Sequence, residues 1–193
     1  MLTVTYALVT ISVEQKKTQG MLSVLQQQVQ RGTTELKSTD RNCFESLLYQ
    51  LVQFDEACRW RNLERYVIPS LQRVSREADA LIAELDALSA KAEAILRSIR
   101  ARAKQTLEQG MDGASDAYRS MELYCNNLCQ RLTKEEKELL PIAQRVIPDE
   151  EWFDIAAQLI SHDAEIHAHK HATPSVPFRA NAHRDRSLYL LPS

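Results

Sequence analysis

Ala78, Leu81, Leu85, Leu88, Ala92, Ile95 and Ile99 recur at steps of three and four along a stretch without glycine or proline. That period gathers all seven on one side of an α-helix and would scatter them over both faces of a strand. Three more stripes share it. Leu8, Ile11, Thr18, Leu22, Leu25 and Val29, with Gln15 on the same line, mark a first helix. Phe44, Leu47, Leu48, Leu51 and Val52 mark a second, which continues past Arg59 to Tyr66, Val67 and Ile68. Tyr118, Met121, Cys125, Leu128, Leu132, Glu135 and Leu139 mark the fourth. Only four glycines occur in 193 residues, so tight turns are few and the chain is expected to be all-α.

The breaks between stripes carry turn chemistry. Residues 31–40 separate the first two helices, with Ser38, Thr39 or Asp40 as N-cap, and residues 109–115 separate the third from the fourth. Ser75 can cap the third helix. Pro69 lies near the end of the second, and Pro141 should kink or end the fourth, because it lacks an N–H and clashes with the preceding turn. Residues 147–160 read as a short fifth helix, with Pro148 and Asp149 at its start. Short connections favour an up-down-up-down four-helix bundle over residues 1–172. Residues 173–193 have no period and are expected to form an extended tail.

A formal net charge of −2, with no long Lys/Arg block, argues against a dedicated nucleic-acid binder. The early apolar stretch YALVTISV is too short to span a bilayer and lacks the flanks of a signal peptide, so a cytoplasmic protein without membrane contact is expected. Cys43, Cys58, Cys125 and Cys129 are too scattered for a disulfide framework. Cys125 and Cys129, four apart, offer half a metal or redox site with Cys58 nearby; partly buried reduced thiols are the commoner outcome.

One phrase is written twice. In CRWRNLERYVIP (58–69) and CQRLTKEEKELLP (129–141) an arginine stands ten residues before a proline, Arg59 before Pro69 and Arg131 before Pro141, and the two copies lie 72 residues apart. A bundle whose second and fourth helices each end such a segment in an apolar pair and proline resembles the hemerythrin-like, or HHE cation-binding, domain. In that family both helices carry His-x-x-x-Glu, with the proline ten residues after the histidine. VEQKKTQGMLSVLQQQV and SREADALIAELDAL are similar to the histidine-bearing segments of its first and third helices, and the likeness runs over about residues 5–160. The resemblance implies a hemerythrin-like bundle and a di-iron site.

Carried over position by position, most of that ligand set is gone. Glu135 is retained, but its histidine partner is Arg131; the second helix offers Arg59 and Leu63, with Glu64 one residue late; the first offers Gln15 and the third Ala78. All five histidines lie at or beyond His162, so residues 1–161 contain none. An oxo-bridged di-iron site needs imidazoles and carboxylates converging on two ions, and a permanently charged guanidinium would oppose them. A ferritin-type site fails as well, since it needs Glu-x-x-His on two helices. Without metal, Glu135 would be a buried acid in need of a partner. Arg131, four residues earlier on the same helix side, and Arg59, from the second helix, are expected to supply the missing charge, with Gln15 as a hydrogen-bonding neighbour. The alternative is that both arginines snorkel to solvent.

His162, His167, His169 and His171 lie within ten residues, with Asp163 and Glu165 between, and are the one metal-capable concentration in the chain. Their spacing suits a strand or loop more than a helix face, and they offer an alternative site for Zn²⁺ or Ni²⁺. Taken together, the residues point to a non-enzymatic interaction or regulatory module without a cofactor, which binds a protein partner or pairs with itself through the tail. The competing reading is a metalloprotein, holding a di-iron centre or a single transition metal at Glu135 or the histidines. No nucleophile–base pair, glycine-rich phosphate loop or CxxC motif supports an enzyme.

Overall fold

The computed structural model describes residues 2–34, 41–108 and 113–172, with side chains from 4 through 162 within those ranges. All regular structure among them is helical. The helices are α1 (Leu2–Thr34), α2 (Arg41–Arg59), α3 (Ile68–Val74), α4 (Asp79–Glu108), α5 (Ala114–Lys134), α6 (Leu140–Val146) and α7 (Asp149–Ala172). The described residues up to Leu159 form one compact unit, and those from Ile160 on belong to a second. The expected tail, 173–193, and the candidate caps Ser38, Thr39 and Asp40 lie outside the described residues.

α5 is the axis of packing within the first unit. It runs antiparallel to α1, since Gln15 meets Glu135, Gln26 meets Asn126 and Thr33 meets Glu122. It also runs antiparallel to α4, where the Leu85 and Leu88 carbonyls accept hydrogen bonds from Arg131 and Asn127. α2 lies along α5 in the same direction, through the Tyr124–Asp55 hydrogen bond and the edge-on Phe44–Tyr118 ring pair. α5 begins after Gly113, whose φ of 84° belongs to the left-handed region that favours glycine.

Two apolar cores fill this unit. One gathers Leu22, Leu25, Phe44, Leu51, Tyr118 and Met121 with their neighbours; the other gathers Ile11, Leu63, Leu71, Leu85, Leu139 and Trp152 with theirs. Gln15, Arg61, Arg131 and Glu135 are buried, at chain positions where α1, the end of α2 and the end of α5 pass from one core to the other.

The duplicated phrase of the sequence is also duplicated in structure. Leu63–Val67 and Glu135–Leu139 are both π-helical, and each leads into a seven-residue α-helix with proline at its second position. The N–H of Ile68 reaches back to the Leu63 carbonyl, and that of Leu140 to the Glu135 carbonyl. A proline ring clashes with the carbonyl four residues before it, and a widened turn just ahead of it relieves that conflict without ending the helix. The second helix differs from the continuous run expected, because α2 stops at Arg59 and the chain breaks its helical path at Trp60 and Arg61 before the π turn. Ser75 does not cap α4 directly: its Oγ accepts the Glu77 N–H at 3.1 Å, and α4 starts at Asp79.

The last helix is longer than expected. α7 runs for 24 residues, to Ala172, through the histidine-rich segment that the spacing assigned to a strand or loop. No glycine or proline interrupts it, alanines recur along it, and it ends just before Thr173-Pro174, where helical geometry is disfavoured. Asp149, Glu150 and Glu151 occupy its first turn, where the helix dipole favours carboxylates. No described helix is long and apolar enough to cross a membrane.

Candidate functional site

Glu135 is wholly shielded from solvent. Its carboxylate accepts four hydrogen bonds. Arg61 grips it with both terminal nitrogens, at 2.7 and 2.8 Å, the Arg131 Nε approaches at 2.8 Å, and the Gln15 amide at 3.1 Å. Glu64, at the edge of the cluster, accepts from Arg61 Nη2 at 3.0 Å and from Arg131 Nη2. Two guanidiniums thus face two carboxylates, and the formal charge closes to zero.

The remaining polar atoms are nearly all used. Arg61 Nε donates to the Cys58 carbonyl at 3.2 Å and Nη1 to the Gln15 Oε1 at 3.1 Å, so all five N–H groups of Arg61 have acceptors. Arg131 Nη1 donates to the Leu85 carbonyl at 3.1 Å, and Gln15 Nε2 donates also to the Leu132 carbonyl at 2.9 Å. The break after α2 brings Arg61 inward and frees backbone donors. One of these, the Asn62 N–H, is taken up by Glu14 Oε2 at 2.9 Å.

Burial alone would push the Glu135 carboxyl up, but hydrogen bonds and charge from Arg61, then Arg131, more than offset it and hold its pKa below the usual glutamate value. Glu64 goes the other way: burial raises it, and Arg131 and Arg61 offset only part of the rise. Arg61 loses from burial and gains more from Glu135, so its charge is secured. Burial pushes the Cys58 and Cys125 thiols up to about 12, which makes both inert at neutral pH. All four cysteines are free, and Cys43 and Cys129 are exposed.

The expected site residues separate into two groups. Gln15, Arg131 and Glu135 meet as anticipated. Arg59 does not join them: its side chain is 55% exposed, bonds to Asp55 at 3.0 Å and approaches Glu93 at 3.7 Å. Its place is taken by Arg61, because the break at Trp60 changes the direction of the chain after the ten-residue spacing has been set. The signal for Arg61 was present in a second arginine two residues on, with Glu64 three residues after it. Leu63 and Ala78 are buried in the second apolar core and carry no polar function; the third long helix contributes the Leu85 carbonyl instead. His162 lies at the start of the second unit, and the side chains of His167, His169 and His171 fall outside the described residues.

These residues do not fit a di-iron centre. The two carboxylates of the cluster, Glu135 and Glu64, are committed to guanidiniums, and the cluster contains no imidazole. Among the described residues no three His, Cys, Asp or Glu side chains converge as a metal site. A cavity of about 270 Å³ borders the cluster between α2, α4 and α5, with Cys58, Arg61, Glu64, Asp86 and Arg131 among its walls. Comparison with family models, curated proteins and solved structures finds no match to this chain.

Proposed function

We propose that this chain is a hemerythrin-like up-down-up-down four-helix bundle, formed by α1, α2, α4 and α5, in which an arginine–glutamate cluster stands where the family holds metal. It acts as a non-enzymatic, cytoplasmic interaction or regulatory module with a protein partner. The observation that carries this reading is the capture of Glu135, six residues before Pro141, by Arg61 and Arg131. In a metal-binding relative, cations neutralise the inward carboxylates. Here fixed guanidiniums serve that purpose, and they hold both carboxylates of the cluster. The antiparallel contacts of α5 with α1 and α4 and the π turn before each proline support the bundle.

The test is elemental analysis and a visible spectrum of untagged protein after aerobic incubation with Fe²⁺. The expected result is no stoichiometric iron, no oxo-to-iron charge-transfer band and an unchanged unfolding midpoint on adding chelator. Stoichiometric iron that raises the midpoint overturns the reading.

A further inference from the structure

Residues 94–107 of α4 contain Arg97, Arg100, Arg102 and Lys104 and no acidic residue. Arg97, Arg100 and Lys104 follow one another at helical spacing along one edge of the helix, and Arg102 lies on the other edge. Between the edges, Ala94, Ser98 and Ala101 are exposed and small. The outer face of α4 from Ala94 to Ala101 is therefore a shallow trough of short side chains, closed at its far end by the exposed Gln105, with a row of three cations on one edge and Arg102 on the other. Lys104 has one distant partner, Glu108 at 3.9 Å, whereas Arg97, Arg100 and Arg102 make no ion pair or hydrogen bond with any described residue. Like charges on one helix face weaken it, so this arrangement gives nothing to the fold of the single chain.

The start of α7 is its counterpart. Glu150 and Asp154 sit four apart, exposed and without an ion pair among the described residues, and Phe153, to one side of them on the helix, is 56% exposed. Their neighbours Trp152 and Ile155 are locked into the second core, so this acidic, aromatic ridge is rigidly presented. A chain cannot bring the two together by itself. Ile82 of α4 belongs to that same core, and Arg97 lies about 22 Å further along the helix at 1.5 Å per residue.

We propose that a second copy of this chain docks head to tail, with Phe153 seated in the trough over Ser98 and Ala101 and its neighbours Glu150 and Asp154 on Arg97, Arg100 and Lys104. A protruding ring beside two carboxylates matches a trough of small residues beside a row of cations in both shape and charge, and guanidinium stacks well on an aromatic face. Polyphosphate fits less well, since the chain carries a net charge of −2. The trough offers no bulky apolar group to insert into a membrane. Because the two surfaces differ, each docked copy leaves one of each kind free, and assembly continues unless the rotation closes a ring. The inference names the partner that the proposed function leaves open, and the iron test above does not depend on it.

The experiment is sedimentation velocity on the full chain at low salt, over a range of concentrations, with nuclease-treated protein. The wild type is expected to gain mass with concentration, and the association to weaken about tenfold or more when salt is raised from about 0.05 to 0.5 M, as screened charge requires. Arg97→Glu/Arg100→Glu and Glu150→Arg/Asp154→Arg should each sediment as monomers, with unchanged circular dichroism because every substituted side chain is exposed. Mixing the two variants should restore the assembly, since each supplies the charge that the other has reversed. A wild type that stays monomeric, variants that each still assemble, or a mixture that does not, would overturn the proposal.

Discussion

Arg61 and Glu135, 74 residues apart in sequence, face each other through two parallel hydrogen bonds of 2.7 and 2.8 Å, where the arginine is 5% exposed and the glutamate not at all. Taking two such charges out of water costs several kcal/mol each, and the pair persists because nearly every donor and acceptor on it is satisfied. It ties the end of α2 to the end of α5 at one mutual geometry.

Removal of one partner should therefore cost more than removal of all. Glu135→Ala leaves two guanidiniums buried without their carboxylate and is expected to destabilise by about 3–5 kcal/mol. Arg61→Met, Arg131→Met and Glu135→Leu combined replace the cluster with apolar volume, and Glu64, at 23% exposed, can turn to solvent. That variant should lose much less. Urea unfolding of the two decides it, and equal midpoints would refute the cluster's role.

The neighbouring arginines should behave in opposite ways. Arg59→Ala removes an exposed pair with Asp55, worth up to about 1 kcal/mol. Arg61→Ala strands Glu135 and should cost about 3–5 kcal/mol. Thermal unfolding of both separates the position read from spacing from the position the fold selects.

Two glycines of α1 should respond with opposite sign. A Cβ on Gly20 meets nothing within 4 Å, so Gly20→Ala should stabilise by about 0.5–1 kcal/mol through helix propensity. A Cβ on Gly32 would lie 2.8 Å from Cδ1 of the buried Tyr118 ring and closer still to Cε1 and Cζ. Gly32→Ala should cost about 1–3 kcal/mol, with loss of the near-ultraviolet tyrosine signal as the ring shifts.

Acid should act through Glu135. Its folded pKa lies below the ordinary value of 4.5, so its contribution is complete above that value and is lost as pH falls through the depressed one. Glu64, raised by burial, takes its proton more readily folded than unfolded, so acidification through its own range does not cost stability. Unfolding free energy should thus hold or rise slightly on acidification from neutrality, as Glu64 takes its proton, and fall once pH drops below the ordinary glutamate value and Glu135 is titrated. Glu135→Gln should lose most of the lower limb, whereas Glu64→Gln should keep it.

What could be read from the linear chain was whatever depends on neighbours along it. The three-and-four stripes placed the long helices, and the scarcity of glycine left little room for anything else. The interval of 72 residues marked the two segments where the helical path changes ahead of a proline, but not the π turns that make the change. Gln15 and Glu135 were legible because each lies on a mainly apolar stripe, where a polar residue must be buried and partnered, and Arg131 because it stands four residues before Glu135 and ten before Pro141.

Arg61 was decided by the fold alone. Arg59 and Arg61 are the same residue type two positions apart, and on a continuous helix the first has the better phase. The chain leaves that helix at Trp60, where Glu14 on α1 can accept the freed Asn62 N–H and the carboxylate of Glu135 is within reach. The extent of α7 was likewise hidden, because two-residue histidine spacing carries no helical period even where the backbone has nothing to stop it. Periodicity reports which residues share a face; which of two neighbouring charges enters the interior depends on where a distant helix presents its opposite charge.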